Sequence, residues 1–349
     1  MTSHYNALDE QNREKPQNKK LFWFKRLITI FFFILVPILL YTLLKKIEWQ
    51  EVKETLLSYE VKTLLIGLLI ALCSYIVFAS YDLIGKKYTA HSIPAKQIIP
   101  LGAVCYAFNL NLSSWVGGIA LRYRLYSRLG LEVSTITKVL TMSWITNWLG
   151  YMIIAGVIFS LGLLELPDSW KLGTTALQFI GVALIGVATT YLLACRFAKR
   201  RSLHIYNHEI TLPDFRLSIV QAGLATLNWS LMGLLIFILL PDGKIGYPTI
   251  LGILLISSIA GLITHIPAGL GVLEAIFITM LQHQLSKGTI LAALIGYRIL
   301  YFLIPLAIAI IIYLILESRA KKMRTSNNKN VDATVDKSTG QKHHANSTT

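Results

Sequence analysis

The chain has 349 residues, of which 54% are apolar and 15% are charged, and it carries a net charge of +15. A soluble domain carries about 25% charged residues, so this composition excludes an ordinary soluble protein and predicts a membrane protein. The sequence holds no HExxH, GxSxG, Walker or paired-cysteine signature, and its three cysteines have no metal-ligand spacing, so we expect no metal, no cofactor and no enzyme activity.

Eight apolar stretches approach or exceed the roughly 20 residues that a helix needs to cross the hydrocarbon core. In chain order they are 27–44, 63–85, 98–116, 138–164, 173–195, 218–240, 249–264 and 289–316. They predict an all-α, polytopic integral membrane protein. A basic leader, residues 1–26, precedes the first stretch, which lacks a cleavage site and is therefore expected to be retained. Residues 317–349 are polar and rich in Ser, Thr and Asn, which predicts a disordered cytoplasmic tail.

Two of the eight stretches are interrupted by glycine, proline and polar residues. The first break runs from Asn109 to Arg122 and the second from Thr264 to Glu274, and the residues expected to shape them are Gly117, Gly118, Pro267, Gly269 and Gly271. An unpaired backbone amide in lipid costs several kcal/mol, so a helix is interrupted only where protein or water can satisfy it. Interrupted helices in matching positions of two halves indicate a transporter binding site.

The distribution of Lys and Arg argues against eight simple crossings. Positive charge concentrates in cytoplasmic loops, yet eight crossings would put two basic loops, residues 122–138 and 196–216, outside. If 98–136 and 249–285 instead enter the membrane and return to the same side, every strongly basic segment becomes cytoplasmic. The sequence therefore predicts six crossings and two re-entrant hairpins, with both termini in the cytoplasm.

The order of the stretches also suggests a duplication. Corresponding stretches begin at residues 27 and 173, 63 and 218, 98 and 249, and 138 and 289. These pairs divide the membrane region into two repeats, 27–164 and 165–316, and an odd number of crossings in each would invert the second. Alignment of the two breaks places Gly117 on Gly269 and Arg122 on Glu274. Chance spacing of helices and loops is the alternative explanation.

Several ionisable residues within or beside these stretches are candidate site residues. Arg298 lies in the middle of the last stretch beside Tyr297, and Glu274 in the second break is its expected partner. A charge at such a depth marks either a pathway or a fixed pair that only docks the hairpin, and both interpretations stand. Asp82, near the end of its stretch, is expected to face water.

The first break is followed by Arg122, Arg124 and Tyr126. The donor fork of Arg suits phosphate, and Tyr prefers the headgroup level of a membrane, so this group predicts contact with an anionic phospholipid headgroup. Ordinary anchoring by positive charge is the alternative. The basic residues lie beside apolar stretches, a pattern that favours anionic lipid over nucleic acid as the partner.

The run from Gly118 to Tyr126, the run from His265 to Ala275, and Tyr297-Arg298 with Pro305 resemble the integral-membrane half of bacterial lysylphosphatidylglycerol synthases (MprF) and their stand-alone YbhN-type relatives. The resemblance covers roughly residues 20–317. Many relatives carry Gly-Gly where this chain has Ala268-Gly269. Stand-alone relatives often have Glu at the position of Ile119, so the resemblance does not carry over a carboxylate in the first hairpin.

The resemblance implies a flippase-type module that moves phospholipid between leaflets, without the soluble aminoacyl-transferase domain that follows the membrane half of the synthases. Arg122, Arg124, Glu274 and Arg298, with Tyr126 and Tyr297, would then line the headgroup path. A non-transporting partner or regulator of a lipid-synthesising enzyme is the second hypothesis, and a membrane-embedded transferase is the third and least supported. The expected partners are membrane phospholipid and either a second copy of the chain or such an enzyme.

Overall fold

The computed structural model describes residues 49–112, 118–164, 166, 173–198, 202–205, 208–241, 243, 245–264 and 266–315. The predicted leader, the first apolar stretch 27–44 and the tail lie outside these residues. The helices are α1 (Trp49–Ser58), α2 (Val61–Ala79), α3 (Tyr81–Thr89), α4 (Ala95–Asn111), α5 (Leu121–Arg128), α6 (Val133–Ser160), α7 (Thr174–Phe197), α8 (Phe215–Leu239), α9 (Tyr247–Thr264), α10 (Val272–Leu281), α11 (Lys287–Arg298) and α12 (304–315).

Within the described residues, six helical segments are long and apolar enough to cross a membrane, which confirms the predicted polytopic helical fold. They are α2 with α3 (Val61–Thr89), α6, α7, α8, α9, and the last segment from α11 to α12 (Lys287–Ile315). Five of them coincide with predicted crossings. The sixth, α9, was expected to be one arm of a re-entrant hairpin, but its 18 residues have the length and composition of a crossing helix.

One local element differs from the all-α prediction. Between α7 and α8, strands β1 (Ser202–Ile205) and β2 (His208–Thr211) pair antiparallel, with Ser202 opposite Thr211. Polar and apolar residues alternate in β1, the pattern of a strand, but β2 has Ile210 as its single apolar residue, and both segments are too short for a distinctive pattern.

Both predicted breaks separate a longer helix from a shorter one. In the first hairpin, the 17-residue α4 ends at Asn111 and the 8-residue α5 begins at Leu121. In the second, the 18-residue α9 is followed by a short 3-10 turn, Pro267–Gly269, and the 10-residue α10. At 1.5 Å per residue, α5 and α10 are about 12 and 15 Å long, too short to cross the core. The 3-10 turn contacts α4, so the two hairpins meet inside the protein.

Helix α6 packs on α7 and α8, and α8 packs in turn on α2. In α6, 61% of the apolar window is buried inside the protein, against 17% in α7, so α6 is central and α7 is peripheral. A side chain at Gly150 of α6 would overlap the backbone of Ala225 in α8, so only glycine permits this close approach. Small residues at such contacts are typical of helix packing in membranes.

The helix starts repeat along the chain. Helices α2 and α8 begin at Val61 and Phe215, α4 and α9 begin at Ala95 and Tyr247, and the short helices α5 and α10 begin at Leu121 and Val272, so the interval is nearly constant. A repeat that relates α2 to α8 and α6 to α11 requires the contact between α8 and α6 to recur between α2 and the segment of α11. The structure shows such a contact, because α2 packs on the turn that follows α11. The division into two repeats and the inversion of the second both stay predictions.

Candidate functional site

The second break is held in an unusual backbone conformation. Ala268 has φ 57° and ψ 12°, and Gly269 and Gly271 have φ values of 57° and 80°. Three left-handed residues within four positions end one helix and start the next in a different direction. Glycine adopts this region freely, whereas alanine does so at a cost, because its Cβ approaches the following carbonyl oxygen.

Glu274 and Arg298 form the ion pair that the sequence predicts. Arg298 Nε donates to Glu274 Oε1 at 2.6 Å, and Nη2 donates to Oε2 at 3.1 Å, the bidentate geometry that Arg favours with carboxylates. Both side chains keep 13% of their surface exposed. The pair is therefore enclosed by protein on most sides but remains partly accessible.

The same two side chains organise the backbone of the break. Arg298 Nη1 donates to the carbonyl of Ala268 at 3.1 Å, and Nη2 donates to that of Gly269 at 3.3 Å. Glu274 Oε2 accepts the N–H of Gly271 at 2.8 Å. Backbone groups freed by the break are thus satisfied by charged side chains, which meets the requirement for non-helical backbone at membrane depth.

Immediately after Arg298 the last helix is loosened. Residues Ile299–Leu303 form a π-helical turn that precedes Pro305. Proline has no N–H to donate to the carbonyl of Tyr301, one helical turn earlier, and the hydroxyl of Tyr75 donates to that carbonyl instead, at 3.0 Å. Tyr297 stacks on Tyr301 with ring centroids 5.4 Å apart, and both rings are buried. Tyr297 therefore packs within the protein beside Arg298.

The first break is described only in part. Gly117 lies outside the described residues, whereas Gly118 is buried at the start of a π-helical turn, residues 118–120. A Cβ at Gly118 would lie 2.5 Å from Oδ1 of Asn109, so the end of α4 closes directly on this glycine. The turn leads straight into α5, which carries Arg122.

Arg122 and Tyr126 converge on Asp82 of α3. Arg122 Nη2 lies 3.0 Å from Asp82 Oδ1, Tyr126 donates to Oδ2 at 2.9 Å, and all three side chains are buried. The expectation that Asp82 faces water is wrong, because its carboxylate is fully enclosed beside a guanidinium group. A headgroup role for Arg122 stays a prediction, and it requires this pair to open.

The surroundings of this second pair are incompletely satisfied. Within the described part of the chain, the buried Tyr81 hydroxyl, His91 Nε2 and Arg122 Nε have no hydrogen-bond partner, whereas Asp82 Oδ1 and Arg122 Nη2 have only each other, as an ion pair. Burial lowers the pKa of His91, in the loop after α3, and the charge of Lys86 lowers it further, against the opposing effect of Asp82. His91 is therefore a neutral neighbour of the pair at pH 7.

Arg124 lies apart from both pairs. Its side chain is exposed, and its guanidinium carbon lies 6.0 Å from the ring centroid of Tyr313 in α12. The predicted site residues thus fall into three places: Glu274, Arg298 and Tyr297 at the second break, Arg122 and Tyr126 on Asp82, and Arg124 against the last helix.

Sequence reasoning missed Asp82 as a partner of Arg122. The available signal was a carboxylate inside an apolar stretch, which requires a partner at that depth. It also missed Ser143 of α6, whose Oγ lies 3.5 Å from Nη1 of Arg122. Ser143 lies close to the position that the repeat relates to Arg298, so each short helix contacts the following long helix at a similar point.

Comparisons with known proteins agree with this architecture. The family described as "Lysylphosphatidylglycerol synthase TM region" matches residues 26–309. The chain is 46% identical over 304 residues to the "Inner membrane protein YbhN" of Escherichia coli (strain K12), a match that covers 87% of this chain and 95% of that protein. An uncharacterized protein of Synechocystis is 30% identical over 266 residues, which is 75% of this chain and 81% of that protein.

A shorter match concerns an enzyme. A "Phosphatidylglycerol lysyltransferase" of Staphylococcus epidermidis is 35% identical over 75 residues, which is 21% of this chain and 9% of that protein. The similarity to this enzyme is therefore limited to a small part of each chain.

Proposed function

The chain belongs to the family of the lysylphosphatidylglycerol synthase transmembrane region, and from this we propose that it moves an anionic or aminoacylated phospholipid between the leaflets of the bacterial inner membrane. The names of two relatives support the proposal, because one is an inner membrane protein and the other acts on phosphatidylglycerol. The proposal assigns lipid movement to this chain and no aminoacyl transfer.

The observation that carries the proposal is the Glu274–Arg298 pair at the second break. A guanidinium group binds carboxylate and phosphate with the same fork, so a phosphodiester can replace Glu274 on Arg298 without a new geometry. The carboxylate released in that exchange is available to an ammonium group of an aminoacylated lipid. The partial exposure of both side chains, 13% each, gives a headgroup a side from which to approach.

The local backbone suits such an exchange. Arg298 holds two carbonyl groups of the break in addition to Glu274, so it keeps part of its hydrogen bonding while the carboxylate leaves. The π-helical turn after Arg298 and the left-handed residues from Ala268 to Gly271 mark backbone that departs from regular helix on both sides of the pair. In transporters, substrates bind at such discontinuous helices.

A leaflet-resolved assay tests the proposal. The purified full-length protein is placed in vesicles of phosphatidylglycerol and phosphatidylcholine that contain a trace of fluorescent phosphatidylglycerol, and an impermeant quencher reports outer-leaflet dye. We expect the parent to equilibrate the dye between leaflets. Glu274→Gln and Arg298→Gln should each slow it by about tenfold or more, the effect of losing one charge-assisted hydrogen bond. Glu54→Gln, at an exposed position of helix α1, is the matched control and should behave as the parent.

The double variant separates a lipid path from a structural pair. Removing one partner of an enclosed pair strands the other charge, whereas removing both restores neutrality. If the double variant regains both thermal stability and transport, the pair only docks α10 on α11. If it regains stability without transport, the charges belong to the lipid path. A parent protein that leaves the dye in its original leaflet would contradict the proposal altogether.

The second candidate function is that of a non-transporting partner of a lipid-synthesising enzyme. It is favoured by the burial of Arg122, Tyr126 and Asp82, because these side chains contact one another and are closed to a substrate. Under this function the chain would copurify with such an enzyme, and the leaflet assay would show no movement by any variant.

A further inference from the structure

A cavity of about 1120 Å³ lies where four long helical segments end. The end of α3, the start of α6, the end of α7 and the start of α8 surround it, together with the end of β2. None of the four ion-pair residues lines this cavity. It is therefore a place separate from the site on which the proposed function rests.

The lining of this cavity is strongly cationic. Lys87, Lys138, Arg196 and Arg216 come from four different helices, and Asp214 is the one carboxylate among the described lining residues. Four like charges around one cavity repel each other, and a cleft lined by one sign of charge raises the local concentration of the opposite ion. The charge balance of the cavity fits an anionic ligand.

Neighbouring contacts hold β2 and Arg196 in place at this cavity. The hydroxyl of Tyr88 donates to the carbonyl of Thr211 at 2.7 Å and accepts its N–H at 3.1 Å, which ties β2 to the end of α3. The guanidinium carbon of Arg196 lies 5.7 Å from the ring of Phe197 and 5.8 Å from that of Phe215. Stacking of this kind orients a planar guanidinium while its N–H groups stay available for oxyanions.

The location of the cavity identifies the kind of anion. The candidate membrane spans 61–89 and α7 end here, and α6 and α8 begin here. We therefore expect the cavity at the level where these helices would leave the hydrocarbon core. Tyr and Trp prefer this level, and basic residues there attract anionic lipid headgroups. A phosphodiester on a glycerol backbone reaches this level with its acyl chains still in the core.

We propose that this cavity binds the phosphate of an anionic glycerophospholipid and discriminates it from a zwitterionic one. The four cations would repel the ammonium or choline group of a zwitterionic headgroup. They would not repel a neutral glycerol group. This inference deepens the proposed function, on which it rests for the identity of the lipid, by adding a headgroup site that favours the anionic over the aminoacylated lipid. Binding at the cavity is nevertheless measurable without transport.

The test is lipid binding by the purified full-length protein in a neutral detergent, read by native mass spectrometry. Phosphatidylglycerol, phosphatidylcholine and inorganic phosphate are titrated in separate experiments. We expect phosphatidylglycerol to bind in preference to the other two, and Arg196→Gln/Arg216→Gln to weaken it by about tenfold or more. The double variant Lys53→Gln/Lys62→Gln removes the same charge from exposed positions outside the cavity and should bind as the parent does.

Three outcomes would overturn the proposal: equal binding of phosphatidylglycerol by both double variants, equal binding of phosphatidylcholine and phosphatidylglycerol by the parent, or binding of inorganic phosphate alone. The melting temperature of each variant shows that it is folded, and Lys87→Gln/Lys138→Gln provides an independent pair from the same cavity.

If the parent binds phosphatidylglycerol at the cavity but moves no lipid, the proposed function fails and the headgroup site stands. If lipid moves equally well in parent and variants with unchanged binding, the cavity proposal fails alone.

Discussion

Ala268 adopts a left-handed backbone conformation that is unfavourable for alanine. It has φ 57° in a break where the neighbouring left-handed positions are glycines, while its carbonyl accepts a hydrogen bond from Arg298. The Cβ of an L-residue costs roughly 1–2 kcal/mol in this region. The resemblance to relatives with Gly-Gly at this place agrees with that cost.

We therefore predict that Ala268→Gly stabilises the protein by about 1 kcal/mol. The measurement is thermal unfolding in detergent, followed by tryptophan fluorescence. Ala275→Gly, in the regular helix α10, is the matched control, and it should destabilise by about 1 kcal/mol because glycine lowers helix propensity. A lower melting temperature for Ala268→Gly would mean that the methyl group makes a contact worth more than the strain.

The buried pair of Asp82 and Arg122 gives a second prediction at this scale. Asp82→Asn and Arg122→Gln should each destabilise by roughly 3–5 kcal/mol, because each leaves a charge enclosed without its partner. The double variant should recover much of this loss, and the coupling is read from a thermal-unfolding cycle. Strictly additive losses would contradict a direct interaction. Glu54→Gln, at an exposed carboxylate, should lie within about 0.5 kcal/mol of the parent.

The two ion pairs differ in how far the sequence could predict them. Glu274 and Arg298 are isolated charges in apolar surroundings, so each indicates the other. Asp82 lies close to Lys86 and Lys87, which made it look like the solvated end of a helix. Only the three-dimensional approach of α5 to α3 reveals that the carboxylate points to Arg122, because contacts between distant segments leave no periodic pattern in the sequence.

At the scale of elements, the sequence predicts the helices well and their contacts poorly. The positions of both breaks follow from glycine, proline and polar residues, and the structure puts the helix ends at Asn111 and Thr264. The hairpin of β1 and β2 was missed because both strands are short. The close approach of α6 and α8 was not predictable either, since glycines occur in most of these helices.

The contact of α6 with α8 is testable at Gly150. Gly150→Ala should destabilise by about 1–3 kcal/mol, because the added methyl group overlaps the backbone of Ala225 and the helices must separate. Gly186→Ala in α7, where no described atom lies within 4 Å of the added Cβ, should be neutral or stabilising. The comparison of their melting temperatures isolates packing from helix propensity. Equal effects would show that α6 and α8 can separate at little cost.

At the scale of the whole molecule, the order of the helices suggests a repeat. Helix starts recur in the same order and at a nearly constant interval, for example Leu121 with Val272 and Val133 with Lys287. The two ion pairs do not follow this repeat, since Arg122 pairs with α3 and Glu274 with α11. The first predicted repeat thus carries a buried pair and the second a partly exposed pair, an asymmetry that fits the single substrate path of the proposed function.

The predicted membrane orientation requires the basic loops after α5 and α7 to be cytoplasmic. The hydrogen bonds between Tyr88 and Thr211 tie the end of α3 to β2, and the Asp82–Arg122 pair ties α3 to α5. The segments around Ser202 and Ser127 should therefore lie on the same side as Lys87. With the three native cysteines replaced, Ser127→Cys and Ser202→Cys should resist an impermeant maleimide in intact cells and react in inside-out vesicles. Ser58→Cys, before the other end of α2, should show the opposite behaviour. Labelling of Ser127→Cys or Ser202→Cys from outside would contradict the re-entrant first hairpin, because a simple crossing of α4 is what would bring these loops to that side.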